Sequence, residues 1–236
     1  MRAVILAGGK GTRLAPYTTV LPKPLMPIGD MPILEVVLRQ LKGAGVSRAT
    51  MAVGHLAELL QAFFSDGQKF GLKIDYSLED KPLGTVGPLT LIPDLDDTFL
   101  MLNGDVLTDL DFSDLIRYHR AQRALATIAS YERSVKIDFG VIETEKKDWL
   151  SDYVEKPEFK YRVSMGIYVF EPEVLTYLEP GENFDFPDLV KLLLSKGLPV
   201  ASYPFSGYWL DMGRPDDYAL AIEEFESRRG DFLPEE

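Results

Sequence analysis

The chain of 236 residues contains no cysteine, which excludes disulfides, a thiolate nucleophile and any zinc site built on cysteine. Its two histidines, His55 and His119, are too few to support a Ser-His-Asp relay, and each reads as a core or surface residue. Positive charge is scarce: 25 Lys and Arg stand against 37 Asp and Glu, for a net charge of −12. A nucleic-acid surface needs the opposite balance, so a nucleotide fits this chain as a small ligand rather than as part of a polymer. No apolar run approaches the ~18 residues that argue for a membrane span, and no charged-then-apolar leader precedes the first strand. A soluble, cytoplasmic protein with no membrane partner is the expectation. There is no composition break, internal repeat or low-complexity segment, and 46% hydrophobic content is ordinary for one large domain.

What is present concentrates near the start. Val4 to Ala7 form an apolar run bounded by glycine, the pattern of a strand covered on both faces. Gly8, Gly9 and Gly11 follow, and glycine lets backbone amides approach an anion with no Cβ in the way. Arg13 adds a forked, permanent cation and Lys23 a point charge, the latter between Pro22 and Pro24, which restrict its backbone. The combination is suited to a polyphosphate. The P-loop spacing is absent, and a dinucleotide fingerprint begun at Gly9 would need glycine where Leu14 stands, so neither nucleotide motif applies. A glycine turn with no ligand is the remaining alternative.

Further along, Ile33 to Leu41 carry a helical apolar stripe that Gly43 and Gly45 should end. Ala49 to Val53, Leu72 to Tyr76 and Leu100 to Leu102 read as strands, with Leu56 to Phe64 helical between the first two. Alternating strands and helices predict an α/β fold with a Rossmann-like, mostly parallel sheet flanked by helices and ligands at the carboxyl ends of the strands. Gly8 and Asp105 both fall at such ends. The second half changes texture: Leu125 to Tyr131, Gly140 to Glu143, Tyr153 to Val154 and Val163 to Phe170 read as strands. Helices are expected at Pro172 to Tyr177, Phe186 to Ser195 and Pro215 to Arg228, with a polar tail from Gly230 to Glu236. The expectation is a single domain, 1–236, in two halves of about 1–122 and about 123–229, the first carrying the loop suited to a nucleotide.

The blocks LAGGKGTRL, PKPL, PLGTVGPL (Pro82 to Leu89), LNGDVL (Leu102 to Leu107), DFGVIE (Asp138 to Glu143), VEKP (Val154 to Pro157), SMGIYVF (Ser164 to Phe170) and YWLDMGRPDDY (Tyr208 to Tyr218) occur in that order. The ordered set closely resembles the sugar-1-phosphate nucleotidylyltransferases, and most of all those that join guanylate to mannose-1-phosphate or a manno-heptose-1-phosphate. The resemblance implies the nucleotide-diphospho-sugar transferase type of fold, Mg2+ as cofactor, and a nucleoside triphosphate and a sugar-1-phosphate as partners. Longer relatives carry hexapeptide repeats, which are absent here. A homo-oligomer is left open. Thymidylyl-, uridylyl- or cytidylyltransfer to glucose-1-phosphate is the alternative within the class. A non-catalytic nucleotide-sugar-binding homologue is the alternative outside it, opposed by the joint presence of Arg13, Lys23, Asp105, Lys156 and Asp211.

Carried onto this sequence, the resemblance assigns the nucleotide to Leu6, Gly8, Gly9, Gly11, Thr12, Arg13, Lys23, Gly84, Thr85 and Asp105. Arg13, Lys23 and Asp105 are the residues expected to act in catalysis. It assigns the sugar phosphate to Gly140, Glu155, Lys156 and Ser164, although many relatives have asparagine where Ser164 stands. Asp105 and Asp211 are the expected metal ligands, since magnesium takes carboxylate oxygens and shares its shell with phosphates. Turn and N-cap roles compete for these two and account better for Asp109, Asp111, Asp216 and Asp217; an exposed charge pair competes for Glu155-Lys156. Guanine needs acceptors for its N1–H and amine, and Glu79 or the carbonyls of Pro82 and Leu83 are placed to supply them.

Overall fold

The computed structural model describes residues 1–233. Among them the strands are β1 (Arg2–Leu6), β2 (Pro27–Ile28), β3 (Met31–Pro32), β4 (Arg48–Val53), β5 (Lys73–Leu78), β6 (Phe99–Asn103), β7 (Val106–Thr108), β8 (Ala126–Lys136), β9 (Val141–Thr144), β10 (Leu150–Val154), β11 (Glu158–Phe170), β12 (Val200–Phe205) and β13 (Trp209–Asp211). The helices are α1 (Ile33–Gly43), α2 (Ala57–Phe64), α3 (Phe112–Gln122), α4 (Phe186–Ser195), α5 (Pro215–Ser227) and α6 (Arg229–Phe232).

Seven strands form one sheet in the order β12-β8-β11-β6-β1-β4-β5. All neighbours are parallel except at β11, which runs antiparallel to both β6 and β8. The expected mostly parallel sheet is therefore present, and it is continuous across both halves of the chain. Its central strands are mostly apolar because both faces are covered, with Arg2, Arg48 and Asn103 at strand ends and Thr50 the buried polar exception. Ala3 and Ile5 pack on one side with Leu34, Leu38 and Leu60, while Val4 packs on the other with Phe99, Tyr168 and Leu189. No helix among the described residues is long and apolar enough to cross a membrane.

Several elements extend or correct the sequence reading. The helix α3 was not anticipated, although Phe112, Leu115, Ile116 and His119 form its buried stripe and Asp111 caps it, accepting from the amides of Ser113 at 2.8 Å and Asp114 at 3.3 Å. The strands β7, β12 and β13 were also missed. The segment Pro172–Tyr177 forms a 3-10 helix rather than an α-helix. The strands β8 and β11 extend beyond their predicted bounds because they go on pairing as a solvated ribbon, Glu158 opposite Lys136, supported by cross-strand pairs such as Lys160 with Glu132 at 2.8 Å. With the hairpin β9-β10 they make an exposed arm. The polar tail expected from Gly230 is overturned where it is described: Phe232 is buried against Phe225 and Tyr208, and its carbonyl accepts from Gln40 at 2.8 Å. Residues 234–236 of that expectation lie outside the described residues.

Candidate active site

The carboxyl ends of β1, β4 and β6 open into a cleft of about 730 Å³. Leu6, Gly8, Gly9, Gly11, Lys23, Gly84, Thr85 and Asp105, eight of the ten expected nucleotide residues, line it. Gly11 has a left-handed backbone, φ +59, and accepts at its carbonyl from the Thr18 hydroxyl at 2.8 Å, so the loop is bent and pinned. Gly8 is required for another reason: a Cβ there would stand 3.0 Å from Glu79 Oε1 and 3.3 Å from the Gly54 amide nitrogen. The chain after β1 thus lies flat against the chain after β4.

Thr12 and Arg13, the other two, do not line the cleft. They sit exposed on a 3-10 turn, Thr12–Leu14. The Arg13 guanidinium lies against the backbone of Gly213, where an added Cβ would be 3.0–3.1 Å from it. Arg13 is thereby brought beside the segment that carries Asp211, almost 200 positions away in sequence.

Lys23 opens another 3-10 turn, with Pro22 extended before it. Its ammonium, in a side chain only 11% exposed, bonds Asp105 Oδ2 and lies 3.7 Å from Asp211 Oδ1. Asp105 follows β6 through Gly104, whose amide donates to the Leu6 carbonyl at 3.0 Å. Asp211 reaches the same place because β13 pairs with β7, Asp211 opposite Val106, and because the Met212 amide donates to the Asp105 carbonyl at 3.3 Å. Trp209 ties this ribbon to the main sheet by donating from Nε1 to the Met165 carbonyl at 2.9 Å. Burial pushes the Asp105 carboxyl above the usual carboxylate range; the Lys23 ammonium opposes this and the Asp211 charge reinforces it. Asp211 is not the N-cap of α5: it ends β13, and the N-cap position is Arg214, whose side chain makes no capping bond.

Two carboxylates converging on one cation are the donor chemistry a hard divalent ion takes, and no third His, Cys, Asp or Glu joins them among the described residues. That pair fits magnesium, which commonly keeps waters and completes its shell with substrate phosphates.

The far wall of the cleft is the loop 79–85. The Leu83 amide donates to Glu79 Oε2 at 3.0 Å, and burial pushes the Glu79 carboxyl up while that hydrogen bond opposes it. Gly84, φ +75, lies so close to Phe184 and Asp185 that a Cβ would meet both at 2.7 Å. Asp185 Oδ1 accepts from the Thr85 amide at 3.0 Å and from its hydroxyl at 3.1 Å. Asp185, Gly54, His55 and Asn103 line the cleft and were not singled out for it. His55 and Gly54 follow β4 as Gly8 follows β1, a signal the sequence contains; Asp185 lies 100 positions from Thr85 and has none.

The residues expected on the sugar side lie elsewhere. Gly140, Glu155 and Lys156 flank the hairpin β9-β10 on the arm, and none lines the cleft. Lys156 has φ +46, uncommon for a residue with a Cβ and strained before Pro157. Ser164 stands where the β8-β11 pairing slips, and its hydroxyl donates to the Tyr168 oxygen at 3.2 Å. Gly166, φ +73, continues that irregularity so close to Asn103 that a Cβ would meet its amide nitrogen at 2.5 Å.

Comparison with known proteins identifies relatives of the chain. The chain is 38% identical to a UTP-glucose-1-phosphate uridylyltransferase of Synechocystis sp. over 97% of its length. It is 33% identical to a mannose-1-phosphate guanylyltransferase of Mycobacterium tuberculosis over 92% of its length. It spans 64% and 62% of the lengths of those two relatives. Among solved structures it resembles a protein from Bacillus anthracis, assigned as a glucose-1-phosphate thymidylyltransferase and crystallised with sucrose. The TM-score is 0.76 at 26% identity, covering 94% of each chain. The pattern of the nucleotidyl transferase family is matched by residues 2–228, and the chain belongs to that family.

Proposed function

We propose that this protein is a magnesium-dependent sugar-1-phosphate nucleotidylyltransferase: the sugar phosphate attacks the α-phosphorus of a nucleoside triphosphate and pyrophosphate leaves. The observation that carries the reading is the convergence of Lys23, Asp105 and Asp211 beside the Gly8–Gly11 loop at the mouth of one cleft. Joining two polyanions requires charge neutralisation and alignment more than a covalent intermediate. Asp105 and Asp211 would hold the metal, which when bound would supply positive charge to offset that of the reacting phosphates. The glycine loop offers amides to the triphosphate, Arg13 grips its outer phosphates, and Lys23 serves the transferring region. Glu155 and Gly140 take the sugar hydroxyls and Lys156 the sugar phosphate. A protein that consumes nucleoside triphosphates works where they are made, which makes a cytoplasmic location part of the proposal.

GTP with mannose-1-phosphate or a manno-heptose-1-phosphate is the proposed pair. Glu79 supports it, since Oε1 of this cleft-wall carboxylate is not taken by the Leu83 amide. An ionised carboxylate accepts from the adjacent N1–H and amine of guanine but faces two carbonyl oxygens beside the single N–H of uracil or thymine. The 38% identity to a uridylyltransferase favours UTP with glucose-1-phosphate as the second reading. Pyrophosphate release from GTP, UTP, dTTP, CTP and ATP, each offered with mannose-1-phosphate and with glucose-1-phosphate, separates the two. Release with GTP and mannose-1-phosphate is expected; preference for UTP or dTTP with glucose-1-phosphate overturns the substrate pair and leaves the reaction class, and no release with any pair refutes the class.

A further inference from the structure

The arm contains a contact that the roles above do not use. In the hairpin β9-β10, Tyr153 stands opposite Ile142 and Val154 opposite Val141, so Gly140 lies across from the end of β10 that leads into Glu155. A side chain at Gly140 would displace this tyrosine: with Tyr153 where it rests, a Cβ would collide with its hydroxyl and stand 2.9 Å from ring atom Cε2. The Tyr153 hydroxyl seated there donates to Glu155 Oε2 at 2.9 Å. Glu155 is exposed, and an exposed glutamate otherwise samples many rotamers whose loss opposes binding. Tyrosine reaches as far with only two rotatable bonds before its ring.

We infer that Tyr153 is a positioning residue that rests in the space Gly140 leaves and holds the Glu155 carboxylate in one orientation for a sugar hydroxyl. The absence of a side chain at Gly140 then serves Tyr153, and through it Glu155. The inference rests on the reading of Glu155 as a sugar ligand.

Steady-state kinetics with the preferred sugar phosphate test it on Tyr153→Phe, Gly140→Ala, Glu155→Ala and the double variants, each checked for folding by thermal melting. Tyr153→Phe keeps the ring and loses only the hydroxyl. It should raise the KM for sugar phosphate about three- to tenfold, the scale of one solvent-exposed hydrogen bond to a charged acceptor, while the nucleotide KM stays within about twofold. Gly140→Ala should do the same, and the two together should be no worse than the poorer single variant, since both remove one contact. In a Glu155→Ala background Tyr153→Phe should have no further effect. If Glu155→Ala raises the sugar-phosphate KM and Tyr153→Phe does not, positioning is refuted and the sugar reading of Glu155 stands. Additive effects of Tyr153→Phe and Glu155→Ala also refute it, because Tyr153 then meets the sugar directly. If Glu155→Ala leaves that KM unchanged, the sugar reading itself fails and takes the inference with it.

Discussion

Lys23 lies between Asp105 and Asp211 as a cation between two carboxylates, and the proposed chemistry rests on this triad. Replacing either aspartate with alanine should cut turnover by about a hundredfold or more, the scale of losing a preorganised electrostatic contact to a transition state, while circular dichroism and melting show a folded protein. Asp105→Ala releasing pyrophosphate near the wild-type rate with a chelator present would show that no metal acts there. Arg13 sits beside Gly213 rather than inside the cleft, so its contribution depends on a triphosphate extending toward the Asp211 segment. Arg13→Ala should lower kcat/KM for nucleotide about ten- to a hundredfold, as expected for a charge-assisted contact of ~1.5–3 kcal/mol. A change confined to the sugar-phosphate KM would place Arg13 on the other substrate.

Among the elements, the short ribbon β7-β13 does more for the site than its three-residue strands suggest. It carries Asp211 to Asp105 across about a hundred residues of chain, and Trp209 anchors it to the sheet. The helix α3 has a structural part, since its apolar stripe covers the sheet beside β8, β11 and β12. Two backbone amides at its start depend on the Asp111 carboxylate. Asp111→Ala should therefore destabilise the fold by ~1 kcal/mol, read as a lower urea midpoint at constant m-value. Activity should not change, because Asp111 lies outside the cleft; a loss of activity in a stably folded variant would contradict this assignment.

For the whole molecule, the sheet's far end is closed by a polar network that runs from the buried His119 and Thr127 to the half-buried Glu171 and Thr98. His119 is fully buried, its Nδ1 2.7 Å from the Thr127 hydroxyl and its Nε2 3.0 Å from Glu171 Oε1, while Thr98 donates to the same carboxylate at 2.9 Å. Burial pushes the His119 pKa down, against the pull of Glu171. The unfolded chain then binds a proton more readily than the native state. Stability from this group is fully present above the unfolded histidine value near ~6.5 and is lost as pH falls from there through the lower folded value. Chemical denaturation across that range should show unfolding free energy falling by up to about 1.4 kcal/mol per pH unit from this single proton, and His119→Gln should flatten the profile. An equally steep profile in the variant would assign the dependence to other groups.

Much of this protein is legible from local sequence, because the central strands are buried on both faces and the glycine loop follows one of them directly. The apolar runs at Val4, Ala49 and Leu100, the glycines after β1 and the aspartate after β6 are each recognisable within a few residues. Site residues predicted from the block resemblance, such as Gly84, Thr85 and Asp211, also have clear places in the fold. What the chain does not announce are contacts closed over long separations: Arg13 against Gly213, Asp185 holding Thr85, and the ribbon that brings Asp211 to Asp105. The outer part of β8, Glu132 to Lys136, was hidden for a different reason, since a solvated segment with one apolar residue carries no alternation, whereas that of β11 was legible: Phe159, Tyr161 and Val163 alternate with Glu158, Lys160 and Arg162. Side-chain identity and short-range pattern thus determined the central strands and the glycine loop suited to phosphate, but not the short or edge strands β7, β12 and β13. Only tertiary packing decided which distant groups share one cleft, because that depends on crossovers and sheet order that no local window contains.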